Sequence, residues 1–339
     1  MTRVLYIGGS GEISFACVEA AVSAGQHVTV FNRGTRGENF PAAVEQVSGD
    51  INDDSLYADL AARHFDTVCQ FVGLNTDTIS RDIATFSGNC NQYVFVSSAS
   101  AYKKPWHEGL ITEDTPLENP YWEYSQAKAN CEKILLDAHG DNKLAVTIVR
   151  PSHTYRRRLP GTCFPGDHMA WRILNGKPIL VHDNGESLWT LTHADDFARA
   201  FIGLCGNTAA LGEAFHITSD SANSWNEIVS LVGEALDSEV STVHVSTDHL
   251  IEYSQMWRGP LKGDKSNSVK FDNGKVRSLV KDWRCEINLP AGLARAAVFT
   301  RDLMAQDYRP NEQLDSLIDR VIADQKNNNT PHHENSGNL

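Results

Sequence analysis

Short apolar runs and helix-like stretches alternate through the first 150 residues, and this alternation limits the fold more than any other feature. The runs stand at 3–7, 28–32, 66–72, 93–98 and 144–149. Helix-like segments lie between them, near 13–24, 53–63, 76–87 and 120–138. Brief runs rich in Val, Ile and Phe, separated by helices, belong to a parallel sheet buried on both faces. Right-handed crossovers then predict an α/β chain with a doubly wound sheet.

After Pro151 the rhythm breaks. "YRRRLPGTCFPG" is a basic loop rich in Pro and Gly. Residues 187–204 read as a strand followed by a helix opened by acidic residues. "EAFHITSD" is a short strand, and "SWNEIVSLVGEAL" a helix whose Ser224 and Glu227 make a capping box. The expected organisation is a Rossmann domain over 1–155 to which 187–204 returns, and a smaller C-terminal lobe, mainly substrate-binding, over 156–324. The end, 325–339, has almost no apolar residues and is expected to be disordered, with His332 and His333 as tail residues and not ligands.

A chain of 339 residues with 41% hydrophobic and 22% charged residues suits a soluble globular protein. A net charge of −13 argues against nucleic acid, because neutralising phosphates needs clustered Lys and Arg. No segment reaches the roughly 18 unbroken apolar residues of a membrane span. The seven cysteines are scattered, with no CxxC pair, which points to reduced thiols, a cytoplasmic location and no metal site.

The first apolar run ends in Gly8-Gly9-Ser10-Gly11, and a helix follows. Gly8 permits a tight turn, Gly11 lets backbone approach a phosphate, and the helix N-terminus supplies unpaired N–H groups. Ser14 holds the place of the usual third glycine and is small enough to let helix and strand pack. Gly8, Ser10, Gly11, Glu12 and Ile13 are therefore the expected pyrophosphate contacts of a dinucleotide. The second strand ends at Asn32-Arg33-Gly34-Thr35-Arg36. Asn32 carries no charge to repel a ribose 2′-phosphate, and Arg33 and Arg36 are placed to clamp one or to face water. The pattern favours NADP over NAD.

Tyr124 and Lys128, four apart on a helix, share one face. The Lys charge is expected to lower the Tyr pKa, so that the phenol exchanges a proton near neutral pH. Ser97 and Ser98 end the strand at 93–98, at the sheet edge where ligands bind.

With these residues assembled, the chain resembles the extended short-chain dehydrogenase/reductases of the sugar-nucleotide epimerase/dehydratase type. The resemblance runs from residue 3 to about 300, on "GGSGEIS", "SGDI", "FVGLN", "FVSSASAY", "EDTPL", "YSQAK", "RPSHTY" and "THADDFARA". It implies a catalytic set of Ser98, Tyr124 and Lys128. It puts Asp50 and Ile51 at the adenine, Phe71, Val72 and Gly73 along the cofactor channel, and Ser152 beside the nicotinamide, with Ser97 and Pro151 as further cofactor contacts. Ser100, His153 and Thr154 would face the substrate. Read without it, Asp50 is equally a helix cap, Phe71 a core residue and His153 a hydrogen-bonded loop residue.

The implied chemistry is hydride transfer at a hydroxyl or ketone carbon of a carbohydrate-like small molecule. Ala99 and Ser100 stand where the family's 4,6-dehydratases have an acidic pair, which disfavours dehydration. Arg156, Arg157 and Arg158 replace the usual glycine after Tyr155 and are either a diphosphate or carboxylate site or a solvated loop. Alternatives are reduction of a non-sugar ketone by NADPH, or a non-catalytic NADP-sensing or RNA-associated member. The helices near 76–87 and 120–138 resemble the pair through which relatives form homodimers. Trp171, Trp189, Trp225 and Trp257 are either packing residues or platforms for a sugar face.

Overall fold

A computed structural model describes residues 2–35, 39–306 and 308–328. Its first half alternates as expected: β1 (Arg3–Ile7), α1 (Glu12–Ser23), β2 (His27–Asn32), β3 (Glu45–Ser48), α2 (Asp54–Ala61), β4 (Phe65–Gln70), α3 (Thr76–Phe86), β5 (Cys90–Val96), α4 (Glu123–Gly140) and β6 (Val146–Pro151). The second half holds β7 (His153–Tyr155), α5 (Gly166–Leu174), β8 (Ile179–His182), β9 (Leu188–Trp189), β10 (Leu191–His193), α6 (Ala194–Leu204), β11 (Ala214–Ile217), β12 (Asn223–Ser224), α7 (Trp225–Ala235), β13 (Thr242–Val245), α8 (Thr247–Tyr253), α9 (Gly274–Leu279), α10 (Leu289–Ala305) and α11 (Glu312–Asn328).

Seven strands form one parallel sheet in the order β3-β2-β1-β4-β5-β6-β11. The order reverses between β1 and β4, the switch point at which such sheets open a crevice. Ile7 pairs with Phe31 on one side and Gln70 on the other, so β1, β2 and β4 end level. The loops that follow them therefore meet at a single edge.

One sheet face is covered by α1 and α6, packed together through Ala16, Cys17, Phe197 and Phe201. The other is covered by α2, α3 and α4 through Tyr57, Ile79, Phe86, Cys131 and Leu135. A separate core gathers β8, α7, α10 and α11 around Trp225, Ile228, Leu293 and Ile318. Arg172 of α5, fully buried, pairs with Asp315 and Asp319 and ties α11 to this core.

Two features depart from the expectation. The edge strand β3 has the sequence Glu-Gln-Val-Ser, with no apolar run, because an edge strand need not be buried on both faces. Helix α11 extends to Asn328, into the segment expected to be disordered, while residues 329–339, His332 and His333 among them, lie outside the described residues. The expected dimer helices α3 and α4 expose no large apolar side chain among the described residues. The outer positions of α4 are Glu123, Gln126, Asn130, Lys133 and Asp137. No described helix is long and apolar enough to cross a membrane, and all seven cysteines are free thiols.

Candidate active site

Two cavities open at the carboxyl edge of the sheet, and Ser98, Tyr124, Pro151 and Ser152 line both. The larger, of about 740 Å³, runs along the glycine turn, past Asn32 and Asp50, to Tyr124 and Lys128. The smaller, of about 360 Å³, lies beyond Tyr124 towards the second half of the chain.

The glycine turn is built for close approach. Gly8 and Gly9 have φ of +112° and +83°, the left-handed region that side chains avoid. A Cβ on Gly9 would stand 2.7 Å from Val30 Cγ1, so the second glycine, unassigned from sequence, is as fixed as the first. Gly11 caps α1, whose first-turn N–H groups have no carbonyl one turn earlier to bond. Ser14 does more than pack: its Oγ accepts the Gly11 N–H at 2.9 Å. The Glu12 carboxylate turns away to accept the N–H of Arg157 at 2.7 Å, leaving backbone at the cleft.

Asn32 Oδ1 accepts the N–H of Gly34 at 2.8 Å, and Arg33 is exposed on the cavity rim. Arg36 lies outside the described residues. Asp50 folds its own turn, accepting from Asn52 N–H at 2.9 Å, and the cap of α2 is Asp53. Phe71 both lines the cleft and packs 5.4 Å from Phe201. Gly73 does not line it, and Leu74, unassigned from sequence, does. Ser97 Oγ is buried in the wall without a partner. An orphaned hydroxyl, a glycine turn that admits no side chain and a free helix N-terminus together fit a dinucleotide.

Lys128 is buried, and its ammonium donates to the carbonyls of Gly73 and Val96, both at 2.8 Å. Burial pulls its pKa down to about 8, against the raising pull of Cys131 and Glu132. The Tyr124 pKa is raised, chiefly by desolvation, while a hydrogen bond with Ser98 lowers it and the Asp264 charge raises it. This reverses the expected direction. The Lys128 ammonium sits 5.9 Å from the centre of the Tyr124 ring and is held by backbone. Ser98 Oγ lies 2.8 Å from Ser100 Oγ, which accepts from buried Ser125 at 2.8 Å, so Ser100 lines the smaller cavity and also holds Ser98.

His153 borders the smaller cavity, and its Nδ1 accepts from Trp189 Nε1 at 3.2 Å. Burial, helped by the Lys265 charge, pushes its pKa down to about 3, so the ring is neutral at pH 7. Thr154, expected on the substrate side, lines the larger cavity and donates to the Ser152 carbonyl at 3.0 Å. Of the tryptophans read as packing residues or platforms, Trp189 lines the smaller cavity, Trp225 and Trp257 are core, and Trp171 lines neither cavity; Trp122, unassigned from sequence, lines the smaller one too. The arginine trio lines neither cavity. Arg156 pairs with Glu19 and Asp195, Arg158 pairs with Asp167, and Arg157 lies 4.3 Å over the Phe15 ring.

Among curated proteins, the chain is similar to a 2'-dehydrokanamycin reductase of Streptomyces kanamyceticus, 28% identical over 74% of this chain and 71% of the relative. It is also similar to the chloroplast stem-loop binding protein of 41 kDa b of Arabidopsis thaliana, 27% identical over 64% of this chain and 59% of the relative, less than two thirds of its length. Among solved structures, a UDP-glucose 4-epimerase of Thermotoga maritima superposes with a TM-score of 0.71 at 19% identity, over 89% of this chain and 99% of that one. That likeness shows the shared fold. Residues 4–217 match the NAD dependent epimerase/dehydratase family, and the chain belongs to that family, with the architecture of an extended short-chain dehydrogenase/reductase.

Proposed function

We propose that the protein transfers hydride between NADP and a hydroxyl or ketone carbon of a carbohydrate-like substrate. The observation that carries the reading is the shared wall: Ser98 and Tyr124 face the cofactor-sized cleft and the smaller cavity at once. The bound nicotinamide supplies the hydride chemistry. Tyr124 exchanges the proton of the reacting oxygen, and Ser98, held by Ser100, hydrogen-bonds that oxygen. Lys128 fixes the turn at Gly73 and the strand end at Val96, and its third N–H is left for a ribose hydroxyl.

Residues 1–155 with 187–204 hold the cofactor, and most of the substrate contacts come from 156–324. The uncharged Asn32 and the rim residue Arg33 favour NADP over NAD. Ala99 and Ser100 disfavour 4,6-dehydration, since neither is an acid. The similarity to a 2'-dehydrokanamycin reductase favours reduction, and free thiols suit the cytoplasm. A non-catalytic reading has support from the stem-loop binding relative, but Ser98, Tyr124 and Lys128 standing together and the charge of −13 weigh against it.

The test is oxidation of NADPH, followed by absorbance, with 2'-dehydrokanamycin and a panel of keto-sugars and simple ketones. Turnover with a sugar ketone is expected. No hydride exchange with any member would sink the enzymatic reading.

A further inference from the structure

The smaller cavity carries two charged side chains that neither pair with each other nor serve the fold. Lys104 is 4% exposed, yet its ammonium meets no hydrogen-bond or ion-pair partner among the described residues. Asp264 lines the same cavity, and its carboxylate accepts no hydrogen bond from a described residue. The two are close enough to feel each other's charge, and Asp264 is close enough to Tyr124 to raise its pKa. The side chain is buried but its ammonium reaches the cavity, as does the Asp264 carboxylate, so two opposite charges with no protein partner are presented to whatever fills that space.

Asp264 is held firmly. It sits in a π-helical turn over 258–265, a form that concentrates at functional sites. Gly259 and Gly263 press against Trp122 so closely that a Cβ on Gly259 would stand 2.2 Å from the indole. The Gly263 carbonyl accepts from Asn119 at 2.6 Å, and that of Lys265 accepts from Ser187 at 2.8 Å. Lys265 itself is occupied, donating to the Gly161 and Thr162 carbonyls. Lys104 is therefore the described cation of this cavity that spends no donor on the protein, whereas Lys265 keeps only its third.

We propose that Lys104 and Asp264 are the substrate-recognition pair, and that they grip a ring hydroxyl of a sugar that carries no nucleoside diphosphate. A hydroxyl is both acceptor and donor: Lys104 donates to its oxygen and Asp264 accepts its hydrogen. Trp122 and Trp189 supply apolar walls for the faces of the ring. A diphosphate needs several cations, and the arginines that would have supplied them are paired elsewhere. Asp264 would repel it. This substrate class rests on the hydride-transfer reading, which uses the same cavity.

Binding and turnover are read separately to keep the two apart. Saturation-transfer NMR on the full chain loaded with NADPH would use methyl glucoside, galactoside, mannoside and 2-amino-2-deoxyglucoside, with UDP-glucose alongside. At least one glycoside is expected to give a signal, and UDP-glucose a weaker one. Lys104→Met and Asp264→Asn are each expected to lower the glycoside signal at least tenfold while NADPH fluorescence titrations stay within twofold of wild type. Silence from every glycoside, a stronger signal from UDP-glucose, or signals unchanged in both variants would each overturn the proposal. Glycoside binding intact with no hydride exchange would instead overturn the catalytic reading and leave the recognition pair standing.

Discussion

Lys128 donates from Nζ to the carbonyl oxygen of Val96 at 2.8 Å, and Val96 is the last residue of the strand that delivers Ser97 and Ser98. The same ammonium holds Gly73 on the neighbouring loop at 2.8 Å. One buried side chain thus stitches together the ends of β4 and β5, the two strands beside the cleft. Lys128 also lines the larger cavity, so on the proposed reading this structural tie would touch the cofactor as well.

Lys128→Met tests both roles. It leaves two buried carbonyls without their donor, each worth about 1–3 kcal/mol, so thermal melting should show clear destabilisation. The pH profile of the wild type carries a further mark. With the Lys128 pKa drawn down to about 8, the charged form is lost above that point, and kcat/KM should fall as pH rises through about 8. A profile flat to pH 10 would contradict this.

Tyr124→Phe removes only a hydroxyl. Turnover should drop by about 100- to 10,000-fold, while NADPH affinity, read by fluorescence titration, stays within a few-fold. Survival of activity would remove Tyr124 from the acid–base role. Ser98→Ala should be the milder change, because Ser100 remains nearby to hydrogen-bond.

Much of the nucleotide half was legible in the sequence. Apolar runs mark strands buried on two faces, and a glycine turn announces itself by composition. The substrate half was not. Lys104 and Asp264 are 160 residues apart and meet only because Gly259 and Gly263 let the 258–265 turn lie against Trp122. No periodicity encodes that contact. The arginine trio stayed ambiguous for the complementary reason: its charge was visible, but its partners Glu19, Asp167 and Asp195 come from other elements. The spacing of Tyr124 and Lys128 gave proximity correctly, yet not where the ammonium spends its donors.

Cofactor choice turns on the end of β2. Asn32→Asp places a carboxylate where a 2′-phosphate would lie, and should weaken NADPH by about tenfold or more while improving NADH. Arg33→Ala should weaken NADPH with little effect on NADH. Isothermal titration of both cofactors gives the ratio. Equal responses to the two cofactors would remove the NADP preference and leave the dinucleotide site itself untouched.

Asp264 links recognition to stability. Burial raises its pKa to about 6, against the opposing pull of Lys104 and Lys265, whereas an unfolded Asp titrates near 4. Between those values the native state holds more protons than the unfolded chain, so this carboxyl favours folding at the acid end and penalises it as pH rises through about 6. Asn resembles the protonated, neutral form. Asp264→Asn should therefore raise Tm at pH 8 by roughly 2–4 °C, with the gain vanishing by about pH 4. The same variant should lose substrate binding, since an amide cannot replace the charged acceptor opposite Lys104. Scanning calorimetry at pH 4, 6 and 8 reads the first effect. A Tm at pH 8 equal to or below that of the wild type would show that the carboxylate is stabilised by its surroundings and not held at a penalty for the substrate.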